Sequence, residues 1–243
     1  MFDKRDEIGG NLHVAKKPPF KGKFEWAIDY YKSMAKKLNI TMKLGKEVTA
    51  QEVLALKPHS ILVATGSNVI SIPLEGLDQV QTVQAHDVLA NDMQFANKKV
   101  VVIGGGITGL ETALYINRQG TNQVSVVDML PEWPVDMLDM RYQNEALLEV
   151  RHCNDQGVAL FYNNKVVKFA DGKLFIESTK DGEVKELPAD VIVLSVGVKP
   201  NDALWQELLA SGHPSVWKAG DAIATGKINK AVLHGSKFGY SLN

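Results

Sequence analysis

Residues 98–111 read KKVVVIGGGITGLE, and this stretch decides the fold. Two lysines lead into the apolar run Val100–Ile103, the length of a short buried strand. Gly104, Gly105, Gly106, Ile107, Thr108 and Gly109 then fit the pattern G-x-G-x-x-G. Leu110, Ala113, Leu114 and Ile116 continue at helical spacing to Gly120, placed as a helix C-cap glycine would be. A second apolar strand, Val124–Val127, ends at Asp128, 24 positions after Gly104. Each part has a physical task. Gly104 permits the tight turn, Gly106 lets backbone approach a pyrophosphate, and Gly109 lets helix and strand pack closely. The free N–H groups and positive potential of the helix N-terminus favour phosphate. The alternative is a strand–helix turn that merely packs tightly.

Asp128 bears on which nucleotide would bind. A carboxylate there can accept hydrogen bonds from a ribose 2′-hydroxyl and would repel a 2′-phosphate. The following residues, Met129-Leu130-Pro131, bring no arginine, which favours NADH over NADPH unless Arg118 or Arg141 reaches in. Glu111 stands two residues after Gly109 and has two readings: a hydrogen-bond acceptor for a nicotinamide carboxamide, or an acid favoured by the helix dipole.

Fragments of the same strand–loop–helix logic flank this unit. Phe24 to Leu38 is patterned as an amphipathic helix, with Ile40–Leu44 a short strand, Ala50–Leu56 a short helix and Ser60–Ala64 a buried strand. Met140–Cys153 reads as a helix. Between Ala159 and Ser178 short alternating strands surround the hairpin signal Asp171-Gly172. Asp190–Val196 and Ser215–Asp221 are further strands, and a last helix starts near Asn229. The expected class is α/β, with two dinucleotide-binding lobes and an antiparallel β crossover. The nicotinamide lobe, about 93–198, is inserted in a flavin lobe, about 1–92 plus 199–243.

Composition narrows the function classes. The 243 residues are 45% hydrophobic and 23% charged, ordinary for a globular chain. Twenty-seven basic and 28 acidic side chains leave a net charge of −1, which gives no case for nucleic acid or an anionic membrane as partner. The apolar runs fall short of a membrane span, and Met1-Phe2 is followed at once by charged residues, so a cytoplasmic location is expected. The single cysteine, Cys153, rules out a disulfide or cluster held by this sequence alone, and is expected to be a packing or surface thiol. No histidine spacing suggests a metal site. Trp133 and Trp205 are expected to pack.

Four stretches occur together in one order: Ala64-Thr65-Gly66, Gly104–Gly109, Ser195–Asn201 around Gly197, and Ala219-Gly220-Asp221-Ala222. With Phe2–Leu12 and the segment Lys17-Pro18-Pro19-Phe20-Lys21-Gly22, the chain resembles the C-terminal part of the multidomain old yellow enzyme family. That group includes bacterial 2,4-dienoyl-CoA reductase and trimethylamine dehydrogenase. The resemblance implies FAD and a nicotinamide nucleotide as cofactors. It implies that Asp3 holds the FAD adenosine ribose and that Gly10, Asn11 and Leu12 line the flavin side. Ala64, Thr65 and Gly66 would connect the lobes, and Gly220 and Asp221 would hold the ribityl and pyrophosphate portion. The family's own flavin phosphate loop and first strand have no counterpart here. Neither has its FMN and iron–sulfur barrel, which the resemblance places upstream as a partner in cis.

The implied chemistry is hydride transfer from NAD(P)H to FAD and electron relay to that barrel, where an enoyl-type substrate would be reduced. The nucleotides supply the redox chemistry, so no catalytic acid or base is required of the protein. Two alternatives stand beside this reading: a module that holds NAD or ADP without turnover, and a fragment inactive on its own.

Overall fold

The structure, a computed structural model, describes residues 1–131 and 140–242, with the side chains of 140–143 outside that description. The expectation for Trp133 and the reach of Arg141 lie outside the described residues. In chain order the first elements are α1 (Leu12–Ala15), α2 (Phe24–Lys37), α3 (Ala50–Ala55), β1 (Ile61–Val63), β2 (Ser67–Val69), β3 (Gln81–Gln84) and α4 (Ala85–Ala90). The central elements are β4 (Lys99–Ile103), α5 (Ile107–Asn117), β5 (Gln123–Val127), α6 (Met140–Asp155), β6 (Ala159–Phe161), β7 (Asn164–Ala170), β8 (Lys173–Ser178) and β9 (Val184–Pro188). The last are β10 (Val191–Leu194), β11 (Val198–Pro200), α7 (Ala203–Ala210), β12 (Val216–Lys218) and α8 (Ile228–Ser241).

Two units divide these elements. One holds 1–8, 34–70 and 197–243, and the other 9–33 and 71–196. The bounds differ from the sequence division at 92/93 and 198/199. Residues 71–92 group with the inserted unit because β3 pairs with β10 along its whole length. Residues 9–33 join it through side chains, Lys17 to Asp92 and Lys21 to Glu111 and Glu145 among them.

The larger unit is built on a parallel sheet ordered β3-β10-β4-β5-β6. Strand β4 explains its two-sided core. Val100 and Val102 face Leu110, Leu114 and Ile116 of α5, while Val101 and Ile103 face Phe169, Leu174 and Ile176 of the antiparallel sheet β7-β8-β9. A parallel strand covered on both faces needs an unbroken apolar run, which is what the sequence shows. Each fully buried valine or leucine contributes roughly 1.5–3 kcal/mol. The hairpin between β7 and β8 turns at Asp171 and Gly172, both at positive φ (51° and 72°), as an Asp-Gly hairpin turn requires. Cys153 is fully buried in the α5-side core, and burial pushes its thiol up to about 12.

In the smaller unit β1 pairs in parallel with β12, and β2 pairs antiparallel with β11. Ile61, Val63 and Leu208 form its core, with Trp205 packed against them as expected. Thr49 and Glu52 close a capping box on α3. The strand read at Ile40–Leu44 is reduced to one parallel bridge between Phe2 and Lys43. Ile40 and Met42 are exposed, so the segment has no buried face to hold a ladder. The opening residues, read as a strand tail, are held further by the Gly45 amide, which donates to the Arg5 carbonyl at 2.7 Å, and the Lys46 amide, which donates to the Asp3 carbonyl at 2.9 Å.

Candidate functional site

The glycine loop between β4 and α5 is fixed by close backbone contacts. The Gly104 amide donates to the Val127 carbonyl at 2.8 Å, and φ is 109°. A Cβ on Gly104 would lie 2.2 Å from the Ser195 carbonyl oxygen, and one on Gly109 would lie 1.9 Å from the Gly104 carbonyl oxygen. Both positions therefore exclude any larger residue. Gly106 differs. It is the N-cap of α5 with ordinary backbone angles, and a Cβ there would meet nothing within 4 Å. The fold does not itself demand that glycine, which leaves room for a ligand against the helix N-terminus. The first amides of α5 have no partner within the helix.

Asp128 closes the other side of this cradle. Its Oδ2 accepts from the Gly105 amide at 2.6 Å and its Oδ1 from the Leu130 amide at 2.8 Å. The carboxylate is thus held at the C-terminal end of β5, beside the glycine loop, with acceptor capacity left for a hydroxyl. Arg118 stands at the far end of α5, roughly 16 Å of helix from Ile107. Its Nε donates to Gln156 at 3.1 Å and its guanidinium stacks on Phe20. It does not serve the Asp128 position.

Glu111 is engaged in a charge cluster. Lys21 donates to Glu111 at 2.9 Å and to Glu145 at 2.7 Å, with Glu149 at 3.8 Å. Burial alone would lower the Lys21 ammonium, but its hydrogen bonds to Glu145 and Glu111 outweigh burial and hold it well above its ordinary value. Burial raises the Glu111 carboxyl, and Lys21 offsets this only in part. The two shifts look opposed for one ion pair. Geometry reconciles them, because one ammonium is shared among three carboxylates. Lys21 and the α6 acids were not singled out in the sequence. The Glu145, Glu149 and His152 spacing on one helix face is a local signal for the α6 groups alone, and nothing local ties Lys21 to them.

The remaining predicted residues fall in separate places. Gly10, Asn11 and Leu12 belong to the larger unit, with Gly10 at φ 51° and Asn11 as the N-cap of α1. Asp3, Ala64, Thr65, Gly66, Gly197, Gly220 and Asp221 belong to the smaller one. Asp3 accepts from the Arg5 amide at 2.9 Å. Thr65 donates to the Asn201 carbonyl, and the Asn201 amide donates to the Gly66 carbonyl at 3.0 Å. The Ile70 amide donates to the Gly197 carbonyl at 3.0 Å. Asp221 accepts from the Gly226 amide at 3.0 Å and from the Ser67 hydroxyl at 3.4 Å, and the Gly220 amide donates to His234 at 3.2 Å. Among the described residues no group of three or more metal-ligating side chains forms a metal site. No described helix is long and apolar enough to cross a membrane.

Residues 21–232 match the sequence profile of the pyridine nucleotide-disulphide oxidoreductase family. The chain belongs to that family. Its α/β fold with a parallel sheet and an added antiparallel sheet is the fold of that family, whose members work with FAD and nicotinamide nucleotides. A bilirubin reductase of Mediterraneibacter gnavus is 33% identical over 201 residues, 83% of this chain and 30% of that protein. An NADH oxidase of Thermoanaerobacter brockii is 29% identical over 250 residues, 100% of this chain and 37% of that protein. Among solved structures, a 2-naphthoyl-CoA reductase in complex with 2-naphthoyl-CoA superposes with a TM-score of 0.87 at 27% identity, covering 98% of this chain and 35% of that one. The chain thus spans about a third of the length of each. With one cysteine, this stretch of family sequence holds no redox pair of its own.

Proposed function

We propose that the chain is the electron-input part of a flavin-dependent oxidoreductase. It holds NADH on the larger unit and FAD largely through the smaller one. The observation that carries this reading is the cradle of Gly104, Gly106, Gly109 and Asp128: two glycines the fold demands, one it does not, and a carboxylate fixed beside them. When bound, the nucleotides supply hydride transfer from nicotinamide to flavin. The chain's own residues bind and orient them. The α5 N-terminus and Gly106 face the pyrophosphate, Asp128 accepts from the adenosine ribose, and Glu111 lies behind the loop for the nicotinamide carboxamide. Asp128 favours NADH over NADPH because its charge would repel a 2′-phosphate.

On the flavin side Asp3, Gly10, Asn11, Leu12, Ala64, Thr65, Gly66, Gly197, Gly220 and Asp221 are the assigned contacts. The threefold greater length of the relatives supports a further domain in cis. We assign to it an FMN and iron–sulfur barrel that reduces an enoyl-type substrate, as in the multidomain old yellow enzyme family, and we place the whole protein in the cytoplasm.

A second reading is a unit that holds NAD or ADP without turnover. It is favoured by one contrast: Asp3 and Asp221 accept from backbone amides of their own unit, whereas the space at Gly106 is open. One experiment separates the two. The chain is incubated with FAD, desalted, and its visible spectrum taken before and after anaerobic NADH. A retained flavin band that bleaches supports the first reading. No retained flavin, with NADH still bound, supports the second.

A further inference from the structure

Gly105 occupies a place that the pattern G-x-G-x-x-G leaves open to any residue, yet it is crowded in the structure. It is not among the glycines at positive φ, so backbone conformation does not call for it. Space does. A Cβ at this position would lie 3.0 Å from Cε1 of the Tyr162 ring, 3.1 Å from the Asp128 Cβ and 3.3 Å from Asp128 Oδ2. Both carbon contacts fall short of the ~3.5–4.0 Å at which carbon atoms attract best.

The backbone on both sides of this gap is tied down. The Asp128 amide donates to the Phe161 carbonyl at 3.0 Å, and the Asp128 carbonyl accepts from the Asn164 amide at 2.9 Å. Tyr162 packs against the α5-side core, and its carbonyl accepts from the Asn164 side-chain amide at 2.7 Å. Beyond it the Asn163 amide donates to the Leu130 carbonyl at 2.9 Å, and the Asn163 carbonyl accepts from the Thr179 amide at 2.7 Å. What is left to move is the Asp128 carboxylate, which turns about its own side-chain torsions. Its present aim is set by the Gly105 amide at 2.6 Å and the Leu130 amide at 2.8 Å, both short as bonds to a carboxylate are. A methyl group at position 105 pushes it off both.

We propose that Gly105 is a positioning residue for Asp128, and that the preference for NADH over NADPH depends on it. It acts in two ways. Its missing side chain lets the carboxylate seat against the loop, and its N–H aims the carboxylate once seated. Held by two backbone amides, the carboxylate turns its remaining acceptor capacity in one direction, ready for a ribose hydroxyl before the nucleotide arrives. The same fixity keeps negative charge where a 2′-phosphate would stand, which is the repulsive half of selectivity. A carboxylate free to turn binds the hydroxyl less well and swings away from the phosphate, so both halves weaken together. This rests on the proposed function, which makes Asp128 the ribose acceptor.

Leucine-selective labelling with a nitrogen isotope, read by NMR, follows the Leu130 amide without any nucleotide. The reference is Asp128→Ala, which removes the acceptor and should move that amide proton upfield. Gly105→Ala is expected to move it the same way, and an unmoved Leu130 signal overturns the proposal. Titration calorimetry supplies the second arm. Gly105→Ala should lower the ratio of NADH to NADPH affinity by about tenfold, the worth of one charge-assisted hydrogen bond. On an Asp128→Ala background the same change should leave the ratio as it is, because a residue that acts through Asp128 has nothing left to act through. Equal falls on both backgrounds, the mark of a merely structural effect, overturn the proposal. If Gly105→Ala does not fold, glycine-selective labelling decides. The Gly105 amide proton should move upfield in Asp128→Ala, and an unchanged position overturns the proposal. An unaltered chain that binds neither nucleotide refutes the functional reading, while the Leu130 signal still decides whether Gly105 aims Asp128.

Discussion

The Gly109 α-carbon sits so close to Gly104 that a methyl group added to it would lie 1.9 Å from the Gly104 carbonyl oxygen. The last glycine of the loop is there for helix–strand packing, separate from any ligand. Gly109→Ala should therefore lower stability by about 2–3 kcal/mol, the cost of overpacking against backbone that cannot yield. Chemical denaturation read by circular dichroism checks this. A midpoint equal to that of the unaltered chain would contradict the geometry.

Gly106→Ala makes the opposite case. Its added methyl meets open space at φ −68°, so stability should change by less than about 0.5 kcal/mol. Nucleotide affinity should drop about tenfold or more, since the backbone can no longer approach the pyrophosphate. Titration calorimetry with NADH on both alanine variants distinguishes a structural glycine from a binding one.

Asp128→Asn keeps the shape but weakens acceptance from the Gly105 and Leu130 amides and from a ribose hydroxyl. NADH affinity should fall about tenfold, near 1.4 kcal/mol, with NADPH affinity unchanged or improved. An equal loss for both nucleotides would mean that Asp128 acts only through the loop.

The Glu111 carboxyl is raised by burial, and this fixes a sign. A raised acid favours the folded chain when protonated, so its contribution is fully present below pH 4.5 and is lost as pH rises through the raised value. Glu111→Gln should match the unaltered chain in acid and exceed it above that window, by about 1.4 kcal/mol for each unit of the rise. Denaturant midpoints measured across pH check the crossing. A variant less stable at neutral pH would show that the Lys21 pair outweighs burial.

Cys153 has no exposed surface, and its thiol is pushed up to about 12. It should resist alkylation at pH 8 in the folded chain and react at once in denaturant, a test readable by mass spectrometry. Rapid labelling without denaturant would mean that the α5-side core opens.

The β4–loop–α5–β5 unit was legible because its signals are local: an apolar run, glycines at fixed offsets and an acid at the next strand end. The Asp171-Gly172 turn was legible for the same reason. Strand β3 was not, since Gln81-Thr82-Val83-Gln84 has no apolar run and owes its place to pairing with Val191–Leu194, over a hundred residues away. The pairing of β2 with β11 is equally remote. Ile40–Leu44 misled because alternation alone does not supply a partner. At the site, Gly104, Gly109 and Asp128 follow from their motif, whereas the pairing of Lys21 with Glu111 and Glu145 joins segments 90 and more residues apart and has no local signature.

The chain passes from one unit to the other near residues 8, 33, 70 and 196, and the second passage falls within α2. Neither unit is therefore a continuous stretch of gene. Cutting at 70 and 196 would free a polypeptide that has its sheet but lacks residues 9–33 of the same unit, and with them Lys21. A recombination event that exchanged one unit between homologues would need four matched junctions, one inside a helix. The two units are thus bound to be inherited together, and changes in one are selected against the background of the other.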